Sequence, residues 1–203
     1  MARLIFRLGL LSAVIALALS SATTAKADLL PGLLGGNCGS TSAVFAPWND
    51  PLKYYFAPNG GFESGSTNWS LSGGARVVDG NETFFVHSTR DSHSLLLPRG
   101  SSASINVCYG TTYPGFRFFA KSANGTSAKL RVRVVARSLL GILSILDGGG
   151  TTAGSDWAPA TKISCLFSAL VAPLGTKSMQ IQIFADDDLL IDDLYVDPFL
   201  QRD

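Results

Sequence analysis

The strongest constraint on the fold is a period of two that runs through long stretches of the sequence. Apolar residues alternate with basic ones from Ala128 to Val135, and they alternate mainly with polar ones from Ser178 to Ala185. Successive side chains of a β-strand point to opposite faces, so each stretch predicts a strand with one buried and one polar face. About nine or ten short strands follow one another, separated by Gly, Pro, Asn and Asp. This pattern predicts an all-β fold, namely an antiparallel β-sandwich or barrel, and favours a jelly roll.

Three further segments are assigned by composition. Thr83 to His87 contains β-branched and aromatic residues and is expected to form a strand. Asp147 to Ser155 is rich in Gly and Thr and is expected to form a loop. Ser138 to Leu146 is apolar with little periodicity, which leaves a short strand pair and a loop folded over a sheet edge as alternatives.

The first 27 residues have the features of a secretory signal peptide. Arg3 and Arg7 precede an apolar run from Leu8 to Leu19, and Ala25-Lys26-Ala27 fits the cleavage rule for small residues. The alternative, a membrane-spanning anchor, needs about 20 apolar residues, and this run is shorter. We therefore expect a secreted, extracellular protein. Its expected parts are a signal peptide (1–27), an extended N-terminal arm (28–51) and a β-sandwich domain (52–203).

The charge balance excludes two classes of partner. The sequence carries 16 basic and 15 acidic residues, and the predicted signal peptide removes basic residues only. The mature chain is therefore slightly acidic, without the positive charge that binding to nucleic acid or anionic lipid requires. No later segment is long and apolar enough to span a bilayer. We expect a monomer that does not span the membrane.

The cysteines are Cys38, Cys108 and Cys165, and in an oxidising compartment this number favours one disulfide and one free thiol. Any of the pairings is open, as is the absence of a disulfide. We favour a bridge between Cys38 and Cys108, because Cys38 lies in a Gly-rich N-terminal segment that needs to be tied down. Cys165 lies in a segment with the pattern of a strand interior, where a free cysteine packs like a small apolar residue.

Short motifs occur in an order that is typical of one superfamily. The segment from Asn59 to Gly65 reads NGGFESG and is followed by Trp69, while Asp91 to Leu97 reads DSHSLLL. The last predicted strand contains Ile191 to Leu194, which reads IDDL. Together these motifs resemble the galactose-binding-like jelly-roll superfamily, which includes carbohydrate-binding modules of secreted xylanases and glucanases. The resemblance covers most of residues 52–196, although the glycine that usually begins the middle motif is absent here.

The resemblance implies a structural calcium ion where the first and last strands meet. The matching carboxylates are Glu63, Asp192 and Asp193, and the carbonyl groups of Asn59 to Gly61 would complete the ligand set. Calcium takes about six to eight oxygen ligands. Carboxylates that are buried together without a cation repel one another. The alternative for Glu63 is a solvated loop residue, or one that accepts hydrogen bonds from the backbone amides of a turn.

A carbohydrate site needs an aromatic platform beside planar polar side chains that bind hydroxyl groups. Two predicted strands carry suitable side chains on their polar faces: Arg131, Arg133, Gln180 and Gln182. These side chains would share one groove if the two strands are neighbours. The candidate platforms are Trp157, which we favour for the site, Tyr54, Tyr109 and Tyr113. The alternative is that the Arg and Gln residues are ordinary solvated residues on the open face of an antiparallel sheet.

The sequence contains no convincing catalytic set. Its only histidines are His87 and His93, and it lacks the Gly-x-Ser-x-Gly motif of hydrolases. Glu63 and Asp192 fit a metal or structural role better than a pair of glycosidase carboxylates. We therefore expect a secreted, non-catalytic binding domain whose partner is a polysaccharide or glycoconjugate. The alternative is a structural or protein-interaction β-sandwich of the cell envelope without a sugar site.

Overall fold

The computed structural model describes residues 38–108, 115–164 and 176–197, and this part of the chain is all-β. Its strands are β1 (Tyr55–Phe56), β2 (Trp69–Ser72), β3 (Arg76–Asp79), β4 (His93–Leu97), β5 (Ser102–Val107), β6 (Gly115–Ser122), β7 (Ala128–Ser138), β8 (Leu143–Ala153), β9 (Ala158–Pro159), β10 (Ile163–Ser164), β11 (Thr176–Ala185) and β12 (Leu189–Asp197). Helical structure within these ranges is limited to a short 3-10 turn at Ala46–Trp48. None of the described segments forms a helix with the length and apolar character to cross a membrane.

The strands form two antiparallel sheets, so the predicted β-sandwich is confirmed. The larger sheet has seven strands with the order β10-β6-β12-β4-β3, and in addition β1 pairs with β12 and β9 pairs with β6. The smaller sheet has five strands with the order β2-β5-β11-β7-β8. Neighbouring strands are often far apart in the sequence, as β11 between β5 and β7 shows, and this connectivity is that of a jelly roll.

The main core lies between the two sheets and is built from the faces that the period of two predicts. In β7 burial alternates residue by residue along nearly the whole strand. The buried apolar residues of β7 and β11 include Leu130, Val132, Val134, Met179, Ile181 and Ile183. Complete burial of such a side chain stabilises the fold by about 1.5 to 3 kcal/mol. The Arg and Gln residues between them must therefore lie on the opposite face of the smaller sheet.

The outer face of the larger sheet is covered, because the N-terminal arm packs on it. Phe45 of the arm and Tyr54 join Phe119, Trp157 and Tyr195 in a second apolar cluster, which we call the outer cluster. Phe119 and Tyr195 alternate along β6 and β12 with residues of the main core, which places them on the outside of the sheet. The described part of the arm is therefore an integral part of the fold.

A buried ion pair fastens the arm to the sheet. Arg117 is only 8% exposed, and its guanidinium donates hydrogen bonds to Asp50 Oδ2 (2.9 Å) and to the carbonyl of Ala160 (3.0 Å). The Tyr54 hydroxyl donates to the same Asp50 oxygen at 2.6 Å. Burial raises the pKa of Asp50, but the hydrogen bonds it accepts, that from Tyr54 first, outweigh burial and lower the pKa below its ordinary value. The carboxylate is therefore charged and paired at neutral pH.

The predicted disulfide between Cys38 and Cys108 is confirmed. The two Cα atoms are 5.4 Å apart, and the bridge ties the start of the described chain to the residue that follows β5. The bridged cysteines are 70 residues apart in sequence, a separation at which a disulfide removes much conformational entropy from the unfolded chain. Cys165, the predicted signal peptide and residues 28–37 of the arm lie outside the described residues.

Two segment assignments from the sequence are wrong. Asp147 to Ala153 belongs to strand β8, although its composition indicated a loop. The glycines of this segment allow it to pair with β7. The register shifts between Val132 and Arg133 of β7, and a Cβ atom on Gly150 would lie 2.8 Å from the Leu130 carbonyl oxygen. Glycine in a strand often marks such a bulge or close approach.

The second wrong assignment is Thr83 to His87, which is a loop without strand pairing. Its backbone amides are used differently, since those of Phe84 and Val86 donate to the Glu82 carboxylate and that of His87 donates to Asp193. The β-branched and aromatic residues of this loop indicated a strand, but local carboxylate acceptors took the amides that a sheet would need.

The buried ion pair leads to a first prediction. Asp50→Ala leaves the Arg117 guanidinium buried without its charge partner, so the free energy of unfolding at pH 7 should fall by about 3 kcal/mol. Because the folded-state pKa of Asp50 is lowered, its contribution is present above the unfolded pKa and is lost as the pH falls through the folded pKa. Urea denaturation at pH 7 and near pH 3 should therefore show a difference between variant and wild type that shrinks in acid. Asp79→Ala, at a fully exposed side chain, is the control and should change little.

Candidate functional site

The two ends of the domain meet, as the motifs imply. The amide of Ala57 donates to the carbonyl of Leu194 (2.9 Å), and the amide of Leu194 donates to the carbonyl of Gly60 (3.1 Å). A Cβ atom on Gly60 would lie 2.7 Å from the Leu194 carbonyl oxygen, so only glycine allows this approach. The turn that begins the NGGFESG motif is therefore held directly against the last strand.

The other members of the first motif build the turn itself. Asn59 has a positive φ of 55°, and its side chain donates to the carbonyls of Gly65 and Thr67, both at 2.9 Å. The indole of Trp69 donates to the carbonyl of Asn59 at 3.0 Å, and its ring packs on Phe62 with centroids 4.9 Å apart. Trp69 is thus a core residue whose polar atom is satisfied by the turn.

Glu63 takes amides as partners, which is the alternative that the sequence left open. Its carboxylate accepts hydrogen bonds from the backbone amides of Ser92 and His93, both at 2.8 Å, and from Nδ1 of the His93 ring at 2.9 Å. Burial raises the pKa of Glu63, but these hydrogen bonds, that from the His93 ring first, lower the pKa below its usual value. The same contact raises the pKa of His93. Glu63 therefore links the first turn to the start of β4.

Three buried carboxylates lie behind this turn, and we call Glu82, Asp192 and Asp193 the acidic cluster; all are at most 1% exposed. Asp192 accepts the amide of Glu82 at 2.9 Å and that of Asp193 at 2.8 Å, and Asp193 accepts the amide of His87 at 3.2 Å. Burial raises the pKa of both aspartates, and the mutual repulsion of the cluster adds to this.

A break in strand pairing places these aspartates. The register between β12 and β6 shifts between Asp192 and Tyr195, and Asp193 has a positive φ of 48°. This bulge lets two consecutive side chains turn to the interior, although residues of a regular strand alternate between faces. The paired aspartates of the IDDL motif are therefore both available to the loop that runs from Glu82 to Asp91.

The same loop brings a histidine and another aspartate to the cluster. His87 Nδ1 lies 2.7 Å from Asp91 Oδ2, and one ligand atom from each of His87, Asp91 and Asp193 lies within 4.8 Å of the others. The His87 ring stacks on Phe56 with centroids 3.8 Å apart and planes at 8°. This group is not predictable from the sequence, because nothing in the local pattern indicates which loop covers the last strand.

The predicted calcium ligands are only partly brought together. Asp192 and Asp193 lie side by side, but both oxygens of Glu63 and both oxygens of Asp192 accept hydrogen bonds. Asp193 Oδ1 has no hydrogen-bond partner among the described residues. It faces Gly61, where an added Cβ atom would lie 2.8 Å away. Calcium binding by Glu63, Asp192 and Asp193 therefore stays a prediction, and the donors beside Asp193 include an imidazole, which calcium does not favour.

The predicted sugar-binding side chains lie together on the outer face of the smaller sheet, which we call the polar face. Strands β7 and β11 are neighbours, and Gln182 pairs directly with Arg133. Arg131 is held by Asp186, with its Nη2 2.9 Å from Oδ1, and Gln182 donates to Gln180 at 2.7 Å. Because the two strands are neighbours, one surface carries Arg131, Arg133, Gln180 and Gln182.

The aromatic residue of the polar face is Phe184. It pairs with Arg131 across the two strands, and the guanidinium carbon of Arg133 lies 5.2 Å from its ring centroid. A pocket of about 230 Å³ is lined by these three side chains together with Ile145 and Asp147. The sequence signal for Phe184 was present, since it lies two residues after Gln182 and therefore on the same face of the strand.

Trp157 does not belong to this surface, and the structure corrects its assignment as the platform. It precedes β9 at the larger sheet, is 7% exposed and packs in the outer cluster, with the Lys121 ammonium 5.1 Å from its ring centroid. Tyr54 is also buried, while Tyr109 and Tyr113 lie outside the described residues. Trp157 is buried by its packing in the outer cluster, and tertiary packing of this kind leaves no local pattern in the sequence.

Comparison with models of known protein families gives no match, and comparison with curated protein sequences gives none either. Solved structures do match. The CBM22-1–GH10 modules of Clostridium thermocellum endo-1,4-β-D-xylanase 10B, complexed with xylohexaose, have a TM-score of 0.51 and 13% identity, covering 70% of this chain and 28% of that chain. The CBM22-1–CBM22-2 tandem domain of Paenibacillus barcinonensis Xyn10C has a TM-score of 0.50 and 15% identity, covering 72% of this chain and 44% of that chain.

Both of these neighbours contain carbohydrate-binding modules, and the similarity confirms the predicted β-sandwich fold. At these identities the similarity is one of fold. Function is decided by the residues of a site and not by the fold that carries it.

The contact between Gly60 and Leu194 leads to a second prediction. Gly60→Ala places a methyl group against the backbone of β12, so the free energy of unfolding should fall by about 1 to 3 kcal/mol. Chemical denaturation measures this change. Gly154→Ala is the matched control, because a Cβ atom there meets no atom within 4 Å, and its effect should stay within about 0.5 kcal/mol. Equal stability of the two variants would contradict the proposed role of this approach.

Proposed function

We propose that this protein is a secreted, non-catalytic carbohydrate-binding domain that holds a polysaccharide on its polar face. The observation that carries the proposal is the cross-strand register, which sets Arg133 opposite Gln182 and Arg131 opposite Phe184. Four predicted polar ligands and one aromatic ring therefore lie on one open surface. The fold of the neighbouring carbohydrate-binding modules supports the same class of function.

The chemistry of this surface suits sugar hydroxyl groups. A guanidinium presents several N–H donors in a fixed plane, and the amides of Gln180 and Gln182 offer both donors and acceptors. Asp186 orients Arg131 through contacts of 2.9 and 3.0 Å, so less side-chain freedom is lost when a ligand binds. The Phe184 ring and the side chain of Ile145 provide apolar area for the C–H faces of a sugar.

The two outer faces of the sandwich are therefore unequal. On the larger sheet, the arm and the outer cluster cover the outer face. On the smaller sheet, the outer face carries charged and amide side chains. Arg131 is 61% exposed, and its guanidinium is available to a ligand. Side chains on one face of a strand repeat every second residue, or about every 6.8 Å. A polymer that binds along the strands would therefore meet polar side chains of the protein at this spacing.

One observation favours the alternative of a protein-interaction domain. The connection between β7 and β8 and the start of β8 expose large apolar side chains: Leu139, Leu140, Ile142, Leu143 and Ile145. Strand β8 is also an edge strand of the smaller sheet, with one side of its backbone unpaired within the described chain. Exposed apolar groups at a sheet edge are typical of protein contacts.

Binding to a polysaccharide panel is the third prediction. The purified protein should be retained by at least one polymer in affinity electrophoresis or in pull-down with insoluble polysaccharide. The panel includes β-1,4-xylan, because a structural neighbour is complexed with xylohexaose. Arg133→Ala and Gln182→Ala should each weaken binding about tenfold or more, the loss expected for hydrogen bonds that involve charged or planar groups.

Arg76→Ala is the matched control, because Arg76 is an exposed arginine on strand β3 of the larger sheet and should leave binding unchanged. Retention that survives both polar-face substitutions would place the sugar elsewhere on the molecule. No retention by any polymer of a broad panel would reject the carbohydrate proposal and favour the interaction domain.

A further inference from the structure

The group formed by His87, Asp91 and Asp193 lies apart from the polar face and is not explained by sugar binding. Its ligand atoms are within 4.8 Å of one another, which is a separation that one metal ion can bridge. His87 belongs to the loop after β3, Asp91 lies four residues further on, and Asp193 lies in the bulge of β12. Long-range folding therefore assembles one nitrogen and two oxygen donors.

The second observation is an unsatisfied oxygen in the same place. Asp193 is completely buried, its Oδ2 accepts the amide of His87, and its Oδ1 has no hydrogen-bond partner in the described chain. Oδ1 faces Gly61, and Gly61 lines a pocket of about 320 Å³ together with Phe56 and His87. A buried oxygen without a partner destabilises the fold, and a ligand that reached Oδ1 past Gly61 would remove this cost.

The charge of the surroundings selects a cation. Asp193 lies beside Asp192 and Glu82, and the hydrogen bonds to these three carboxylates come from backbone amides. Arg117, Arg131 and Lys162 form their ion pairs with other carboxylates, namely Asp50, Asp186 and Asp197. The acidic cluster thus has no basic partner among these side chains, and a positively charged ligand would stabilise its carboxylates in the ionised form.

We propose that His87, Asp91 and Asp193 bind a divalent transition-metal ion with the ligand preferences of zinc. An imidazole nitrogen with two carboxylate oxygens suits such an ion, whereas calcium and magnesium select oxygen donors alone. The ion would replace the direct contact between His87 Nδ1 and Asp91 Oδ2. Water or a ligand from the pocket fills the remaining positions, as in zinc sites with three protein ligands.

The surroundings already hold the ligands in place. Phe56 stacks on the His87 ring and fixes its orientation, and the His87 amide fixes the Asp193 carboxylate. The Asp91 side chain is only 8% exposed, which limits the positions that its carboxylate can take. Such positioning of ligands by neighbouring groups strengthens metal binding. A bound ion would tie the loop from Glu82 to Asp91 to the last strand.

The proposal is tested with the purified, tag-free full chain after treatment with EDTA and exchange into a buffer without phosphate. Isothermal titration with zinc chloride should show one ion per chain, and cobalt chloride should give the visible absorption of an ion bound by nitrogen and oxygen ligands. His87→Gln and Asp91→Asn should each lower the zinc affinity by about tenfold or more. His93→Gln, which changes the only other histidine, should bind zinc as the wild type does.

Three outcomes overturn the proposal. The first is the absence of zinc and cobalt binding to a wild-type chain whose circular dichroism shows a folded β-protein. The second is zinc binding that is equal in wild type and in both site variants. The third is thermal stabilisation by calcium chloride but not by zinc chloride, which would support the calcium prediction instead. Because the polar-face residues are unchanged in these variants, retention by polysaccharide reports separately on the proposed function.

Discussion

The hydrogen bonding of β12 is the interaction on which the rest of the structure depends. This strand pairs with β6 on one side and with β4 and β1 on the other, so it lies in the middle of the larger sheet. Its bulge at Asp192 and Asp193 interrupts the ladder, and the side chains released there accept the amides of Glu82 and His87. One strand therefore fixes the sheet, the first turn and the loop from Glu82 to Asp91.

The two outer faces of the sandwich differ, because the arm covers only the outer face of the larger sheet. Arg117 is buried under the arm because Asp50 and Ala160 accept its hydrogen bonds and Phe45 packs on its guanidinium, and without the arm it would lie on an open face of the sheet. On the smaller sheet nothing described lies over Arg133, which stays beside Phe184. The same residue type thus has a structural role on one sheet and is available to a ligand on the other.

The buried carboxylates show how local and long-range effects combine. Glu82 takes up the amides of its own loop and prevents that loop from forming a strand, although its composition favours one. The loop then covers Asp193 and adds His87 and Asp91 to it. A group of donors that suits a metal ion results from a loop whose shape is set by carboxylate hydrogen bonds and not by sheet pairing.

The sequence by itself determined the fold class and the buried and polar faces of β7 and β11, and it favoured the disulfide without deciding its pairing. The fold class and the faces follow from the period of two, which survives any arrangement of the strands. Only the tertiary structure decided that β7 and β11 are neighbours, that Trp157 packs in the outer cluster, that Glu63 binds Ser92 and His93, and that His87 reaches Asp193. The physical reason is that burial and hydrogen-bond partners depend on which distant segment covers a residue, and a local pattern carries no record of that segment.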